Sequence, residues 1–150
     1  MTIQATGVQP IDSNTNGFVY NHTMLRVKDP VKSLEFYTGV LGMSLVRLSK
    51  NPENEFDLYF LAKLTPEELD NLPTGDELMR WVSRQRGILE LTHNYGTEND
   101  PDFSYHNGND EPKGFGHICF AVPDLAKAVT WFDKNNVCLL YTSPSPRDLS

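Results

Sequence analysis

Shifted by 95 residues, this chain lies on itself. His22 falls on His117, Leu25 on Phe120, Val27 on Val122 and Asp29 on Asp124, and the match continues through Lys32 on Lys127, Leu34 on Val129, Phe36 on Trp131 and Tyr37 on Phe132. A repeat of this kind means one supersecondary unit used twice. In the first copy, residues 22–28 alternate as a strand does. Asp29-Pro30 then supplies an N-cap and a proline at the first helical position. Leu34, Tyr37 and Leu41 recur at helical spacing over 31–41, and Gly42 ends that helix. Residues 43–48, 56–62 and 88–94 read as three more strands. Between the last two, Thr65-Pro-Glu-Glu68 is a capping box opening a short helix, and 76–86 reads as a second helical insertion.

The second copy starts again with a strand (116–122), an N-cap (Asp124) and a helix whose Leu125, Ala128, Val129 and Phe132 form an i, i+3, i+4, i+7 stripe. One unit is therefore βαβββ, and the expected fold is α+β, built from paired βαβββ modules. The first module covers about 20–96 and an incomplete second about 114–141, together one domain over 20–141. Residues 1–19 read as a polar arm and 142–150 as an atypical tail. After the second helix there is room for one strand, 137–141. Pro144 and Pro146 bar a central strand beyond it.

At 150 residues, 39% of them hydrophobic, the chain supports one packed core. Thirteen basic against twenty acidic side chains, net charge −7, argue against nucleic acid or an anionic membrane as partner. No apolar run approaches the ~20 residues that span a bilayer, and residues 1–16 carry no secretory leader pattern. Cys119 and Cys138 have no metal-binding spacing and suit a reducing cytoplasm. A cytoplasmic location is the expectation.

Successive side chains of a strand face opposite sides, so parity sorts the candidates. His22, Met24 and Arg26 share a face, as do Phe56, Leu58 and Phe60. Ile88, Glu90, Thr92 and Asn94 oppose Leu89 and Leu91, and His117, Cys119 and Ala121 oppose Ile118, Phe120 and Val122. A lone strand histidine is more often hydrogen-bonded scaffold than ligand. Two at repeat-equivalent positions, joined by Glu90 at the same parity, instead form an imidazole and carboxylate set suited to zinc, nickel or iron(II). His93 has the wrong parity and His106 sits in a loop, so neither reads as a ligand. Cys119 reads as a small buried filler, and Cys138 lacks an activating neighbour.

Asn21-His-Thr-Met-Leu-Arg-Val-Lys-Asp-Pro30, Leu89-Glu-Leu-Thr-His-Asn94, Ser104-Tyr-His-Asn-Gly-Asn109 and Gly114-Phe-Gly-His-Ile118 together resemble the glyoxalase I (lactoylglutathione lyase) family, over about residues 20–138. The resemblance implies the vicinal-oxygen-chelate fold of paired modules and a homodimer with active sites between subunits. It implies isomerisation of the methylglyoxal–glutathione hemithioacetal to S-lactoylglutathione. His22, Glu90 and His117 match metal ligands, with His117 contributed across the dimer, and His22 stands where some members have Gln. Arg26 and Asn94 match residues holding the glutamyl end of glutathione. Lys113 stands where many members have Arg for the same carboxylate, keeping the charge but losing the fork. Phe56, Leu58 and Phe60 match the apolar pocket. Members with the insertion seen here between Leu64 and Gly87 tend to use zinc, and compact ones nickel or cobalt. Zinc is therefore expected, with nickel or cobalt as alternatives.

One departure stands out. The family's fourth ligand, also its principal base, is the repeat partner of Glu90, and no Glu follows Glu111. Glu90 is left as the candidate catalytic carboxylate, and impaired turnover by these 150 residues is the expectation. Three other readings remain: an iron(II) extradiol-type dioxygenase using His22, His117 and Glu90 in another role, a metal-free, non-catalytic binding module of the same superfamily, and a thiol transferase acting on an antibiotic.

Overall fold

The computed structural model describes residues 5–139, which divide into two compact units. The first comprises 5–27 with Met43–Tyr95, and the second Lys28–Gly42 with 96–139.

In the first unit, β1 (His22–Val27), β2 (Ser44–Asn51), β3 (Phe56–Ala62) and β4 (Ile88–Asn94) form one sheet in the order β1-β4-β3-β2. β4 runs parallel to β1 and antiparallel to β3, and β3 is antiparallel to β2. The β-branched and aromatic content of these segments favours a pleated, half-buried surface. Two helices intervene between β3 and β4. The short α2 (Pro66–Asp70) opens on the predicted capping box, with the Thr65 hydroxyl accepting from Glu68 N and the Glu68 carboxylate accepting from Thr65 N. The longer α3 (Gly75–Arg84) carries Val82, which packs with Val46, Phe60, Ala62 and Ile88 in a buried cluster flanked by Leu64, Leu72, Leu78 and Trp81. Phe60 and Ile88 share their sheet face with Glu90, so the insertion seats on the face that carries the candidate site. The opposite face contributes Leu61 and Leu91, both fully buried.

The second unit begins with α1 (Pro30–Leu34), capped by Asp29, whose Oδ1 accepts from Val31 N at 3.0 Å and Lys32 N at 3.3 Å. These bonds, that from Lys32 N foremost, hold the Asp29 carboxyl below its ordinary range. The coil then widens into a π-helical turn, Glu35–Val40, and stops where Gly42 takes φ +64°, a conformation glycine adopts without steric cost. α4 (Leu125–Lys134) is capped by Asp124 as its repeat equivalence predicts, with Oδ1 accepting from Lys127 N at 3.0 Å. Trp131 Nε1 donates to Val40 O at 2.8 Å and ties the two helical segments together.

The strand expected at 116–122 carries no ladder. Strands need a neighbouring edge, and β1, the repeat counterpart of this segment, finds its edge on β4 and not on β2. The strand expected at 137–141, the counterpart of β2, is coil as far as residue 139, and residues 140 and 141, like the tail, lie outside the described residues. The predicted alternation survives nonetheless. Ile118, Phe120 and Val122 line a cavity of about 350 Å³ with Phe36, Tyr37 and Phe132. Burial there pushes the Tyr37 phenol up. Among the described residues no helix is long and apolar enough to cross a membrane.

Candidate functional site

The first strand places its polar side chains as parity requires. His22, Met24 and Arg26 are exposed in alternation with half-buried Thr23, Leu25 and Val27. Register then decides what they meet. Met24 lies opposite Glu90, His22 opposite Ile88 and Arg26 opposite Thr92. From the other side of β4, Phe60 faces Glu90, Leu58 faces Thr92 and Phe56 faces Asn94. One face of the sheet therefore carries His22, Glu90, Arg26, Asn94 and the Phe56–Leu58–Phe60 row together.

At one end of that face, His22 Nε2 lies 3.2 Å from Glu90 Oε2. The Glu90 side chain is only 12% exposed, against 41% for His22, so the carboxylate sits deeper and the imidazole covers it. Thr92 Oγ1 donates to the other carboxylate oxygen at 3.4 Å. His22 stands edge-on to Phe60, ring centroids 6.2 Å apart. At the other end, Arg26, an exposed residue, donates through Nη1 to Asn94 Oδ1 at 2.6 Å.

The donor set fits a divalent ion. Imidazole nitrogen and carboxylate oxygen are both zinc ligands, and two ligand atoms at ~2.0–2.1 Å from a tetrahedral ion stand roughly 3.3 Å apart. The His22–Glu90 separation is close to that value before any ion arrives. Among the described residues, no group of three or more His, Cys, Asp or Glu side chains is gathered to hold a metal. His117 and Lys113 belong to the second unit, where both are exposed, Lys113 beside Glu111 at 3.7 Å.

Two residues near this face escape a reading by sequence. Arg47 stacks its guanidinium 5.2 Å from the Phe60 ring centroid. Its register partner is Phe60, but a bulge between Leu45 and Arg47 shifts the alternation that would have announced it. Asn21 precedes the strand and has no parity to betray it, yet its Oδ1 is 2.7 Å from His22 Nδ1.

The remaining histidines lie elsewhere. His93 is buried on the far face and tilted against Tyr95, and His106 Nδ1 accepts from Gly108 N at 3.0 Å. Cys119 corrects its expectation: it is exposed, because the segment it lies on has no sheet neighbour to cover it. Behind the site, buried Asp57 accepts from the Tyr95 hydroxyl at 2.7 Å and from Asn51 N at 3.3 Å. The bond to Asp57, with a smaller contribution from burial, pushes the Tyr95 phenol up to about 12. Tyr95 N also donates to Glu55 O at 2.9 Å, pinning the chain just past Asn94.

Residues 19–142 match the model of the Glyoxalase/Bleomycin resistance protein/Dioxygenase superfamily. A lactoylglutathione lyase from Pseudomonas aeruginosa is 52% identical over 122 residues, covering 81% of this chain and 68% of its own. That of Pseudomonas putida is also 52% identical, over 81% of this chain and 69% of its own. Glyoxalase I of Saccharomyces cerevisiae is 50% identical over 72% of this chain, which spans 30% of the yeast protein. Among solved structures, a trypanothione-dependent glyoxalase I from Leishmania major matches with a TM-score of 0.60 and 31% identity, over 83% of this chain and 71% of that one.

Proposed function

This chain belongs to the Glyoxalase/Bleomycin resistance protein/Dioxygenase superfamily, and on that premise we propose that it acts as a lactoylglutathione lyase, isomerising the glutathione hemithioacetal of methylglyoxal to S-lactoylglutathione in the cytoplasm. The observation that carries this reading is the meeting of His22 and Glu90 at 3.2 Å on the sheet face that also presents the Arg26–Asn94 pair. Relatives at about half identity bear the same activity in their names.

Each residue has a part. Arg26 and Asn94 hold the glutamyl carboxylate of the substrate, the guanidinium through a charge-assisted fork. Phe56, Leu58 and Phe60 wall off the reacting carbons from water, which strengthens every charge interaction beside them. Glu90 moves the proton from one carbon to its neighbour; a positioned carboxylate of this kind contributes ~10²–10⁴-fold. His22 and Glu90 would hold a divalent ion, zinc by preference and nickel or cobalt as alternatives, with His117 of the partner subunit completing the set in a homodimer. When bound, such an ion supplies Lewis-acid charge stabilisation to the substrate oxygens. Lys113 supplements Arg26 at the glutamyl end. The dioxygenase reading gives Arg26 and Asn94 nothing to do, which is why the lyase reading is preferred.

The test is S-lactoylglutathione formation by the purified 150-residue chain with zinc, then nickel, beside Glu90→Ala. Turnover that disappears in Glu90→Ala supports the reading, and a slow wild-type rate meets the expectation of impairment. Turnover unchanged in Glu90→Ala, no turnover with either metal, or oxygen uptake with a catechol contradicts it.

A further inference from the structure

Asn21 is committed at every polar atom of its side chain. Nδ2 donates to Val82 O at 2.7 Å and to Gln85 O at 2.9 Å, the last turn and the C-cap of α3. Backbone carbonyls only accept, so the amide cannot turn over without setting its own oxygen against two others. Oδ1 is thereby forced toward His22 Nδ1, 2.7 Å away. An amide oxygen also only accepts, so the proton there must belong to His22 Nδ1. Nε2 is then the nitrogen that turns to Glu90 Oε2, 3.2 Å away, and the one a divalent ion would meet. The Asn21 backbone is held as well, its carbonyl accepting from Ile88 N at 3.1 Å at the start of β4.

We propose that Asn21 is a positioning residue that sets the tautomer of His22 and couples it to the C-terminal end of the inserted helix α3. This deepens the reading of His22 as a metal ligand and rests on it. Orienting partners of metal-binding histidines act by fixing which nitrogen is bare and where it points. Here the orienting amide also satisfies the carbonyl of Gln85 at the helix end and adds a second donor to that of Val82, which accepts from Gln85 N as well. The insertion between β3 and β4 therefore does more than cover the core cluster around Val82: it anchors the residue that aims the ligand.

The experiment uses the ¹⁵N-labelled, zinc-loaded 150-residue chain, with imidazole nitrogens read through their two-bond proton couplings and His22 assigned by its loss in His22→Gln. The expected wild-type pattern is a protonated Nδ1 with Nε2 as the metal-bound nitrogen; any other wild-type pattern overturns the proposal. Asn21→Leu removes the acceptor for Nδ1 and should change the His22 pattern. It should also weaken binding of zinc alone, measured against a chromophoric chelator, by ~10–100-fold. An unchanged His22 pattern in that variant overturns the proposal. Asn21→Asp keeps the oxygen acceptor but loses both donors to α3. It should hold the His22 pattern while amide exchange in the last turn of α3 speeds up, and the reverse result contradicts the coupling. If Asn21→Leu does not fold, the wild type and Asn21→Asp still decide. The spectra need no turnover. An inactive chain with the expected spectra removes the lyase reading and keeps the tautomer assignment; an active chain with the wrong spectra does the opposite.

Discussion

Arg26 on β1 reaches Asn94 on β4 across 2.6 Å, although 68 residues separate them in sequence. Parallel pairing of β1 with β4 makes this possible, because both strands then run the same way past the apolar row of β3. The pair stands at one end of a sheet face whose other end holds His22 and Glu90. On the proposed function, that spacing separates the two jobs of the site, grip at one end and chemistry at the other.

Arg26→Ala should therefore raise KM for the hemithioacetal about ten- to a hundredfold, the worth of a charge-assisted hydrogen bond of ~1.5–3 kcal/mol, and leave kcat nearly unchanged. Steady-state kinetics of the zinc-loaded chain checks this. A fall in kcat at constant KM would place Arg26 at the reacting carbons instead.

Leu91 has no exposure at all and lies on β4 one residue beyond Glu90, facing the other way. Leu91→Ala should cost ~2–5 kcal/mol, lost transfer energy plus the cavity left behind. Urea unfolding should show a lower midpoint with the slope unchanged. Because the strand that presents Glu90 is the one loosened, turnover should fall with stability.

Tyr95 gives the fold a signature at high pH. Its phenol is raised to about 12, chiefly by donating to Asp57, whereas an unfolded tyrosine titrates near 10. A raised folded-state value means that the contribution is fully present below the unfolded value and is lost as pH rises through the folded one. The stability supplied by this bond should hold up to about pH 10 and be gone above about 12. Tyrosinate absorbance should show a group titrating near pH 12 that Tyr95→Phe removes, and Tyr95→Phe should lose less stability than wild type over the same range.

Much of this was legible in the amino-acid sequence, for identifiable reasons. Strand β4 was read to the residue because its flanks change texture at both ends, and Asp29, Thr65 and Asp124 cap helices as their spacing requires. Parity put Glu90 and Asn94 on the same face because a strand's period is two. Parity alone carries no register, however. That Met24 rather than His22 sits opposite Glu90, so that the imidazole must lean along the strand to meet it, follows from pairing that no local pattern encodes. Arg47 was hidden by a bulge, and Asn21 by its place outside any periodic element. The ladder expected at 116–122 was over-read: alternation of Ile118, Phe120 and Val122 needs only an apolar surface to pack on, and α4 and the π-helical turn after α1 provide that without a strand partner.

The central claim is that His22 and Glu90 form one site. Zinc affinity and S-lactoylglutathione formation should be measured on the same preparations of wild type, His22→Ala, Glu90→Ala and the double variant. Side chains that act as a unit are non-additive, so each single variant should fall nearly as far as the double in both quantities. Independent, additive losses, or wild-type turnover in either single variant, would contradict the account.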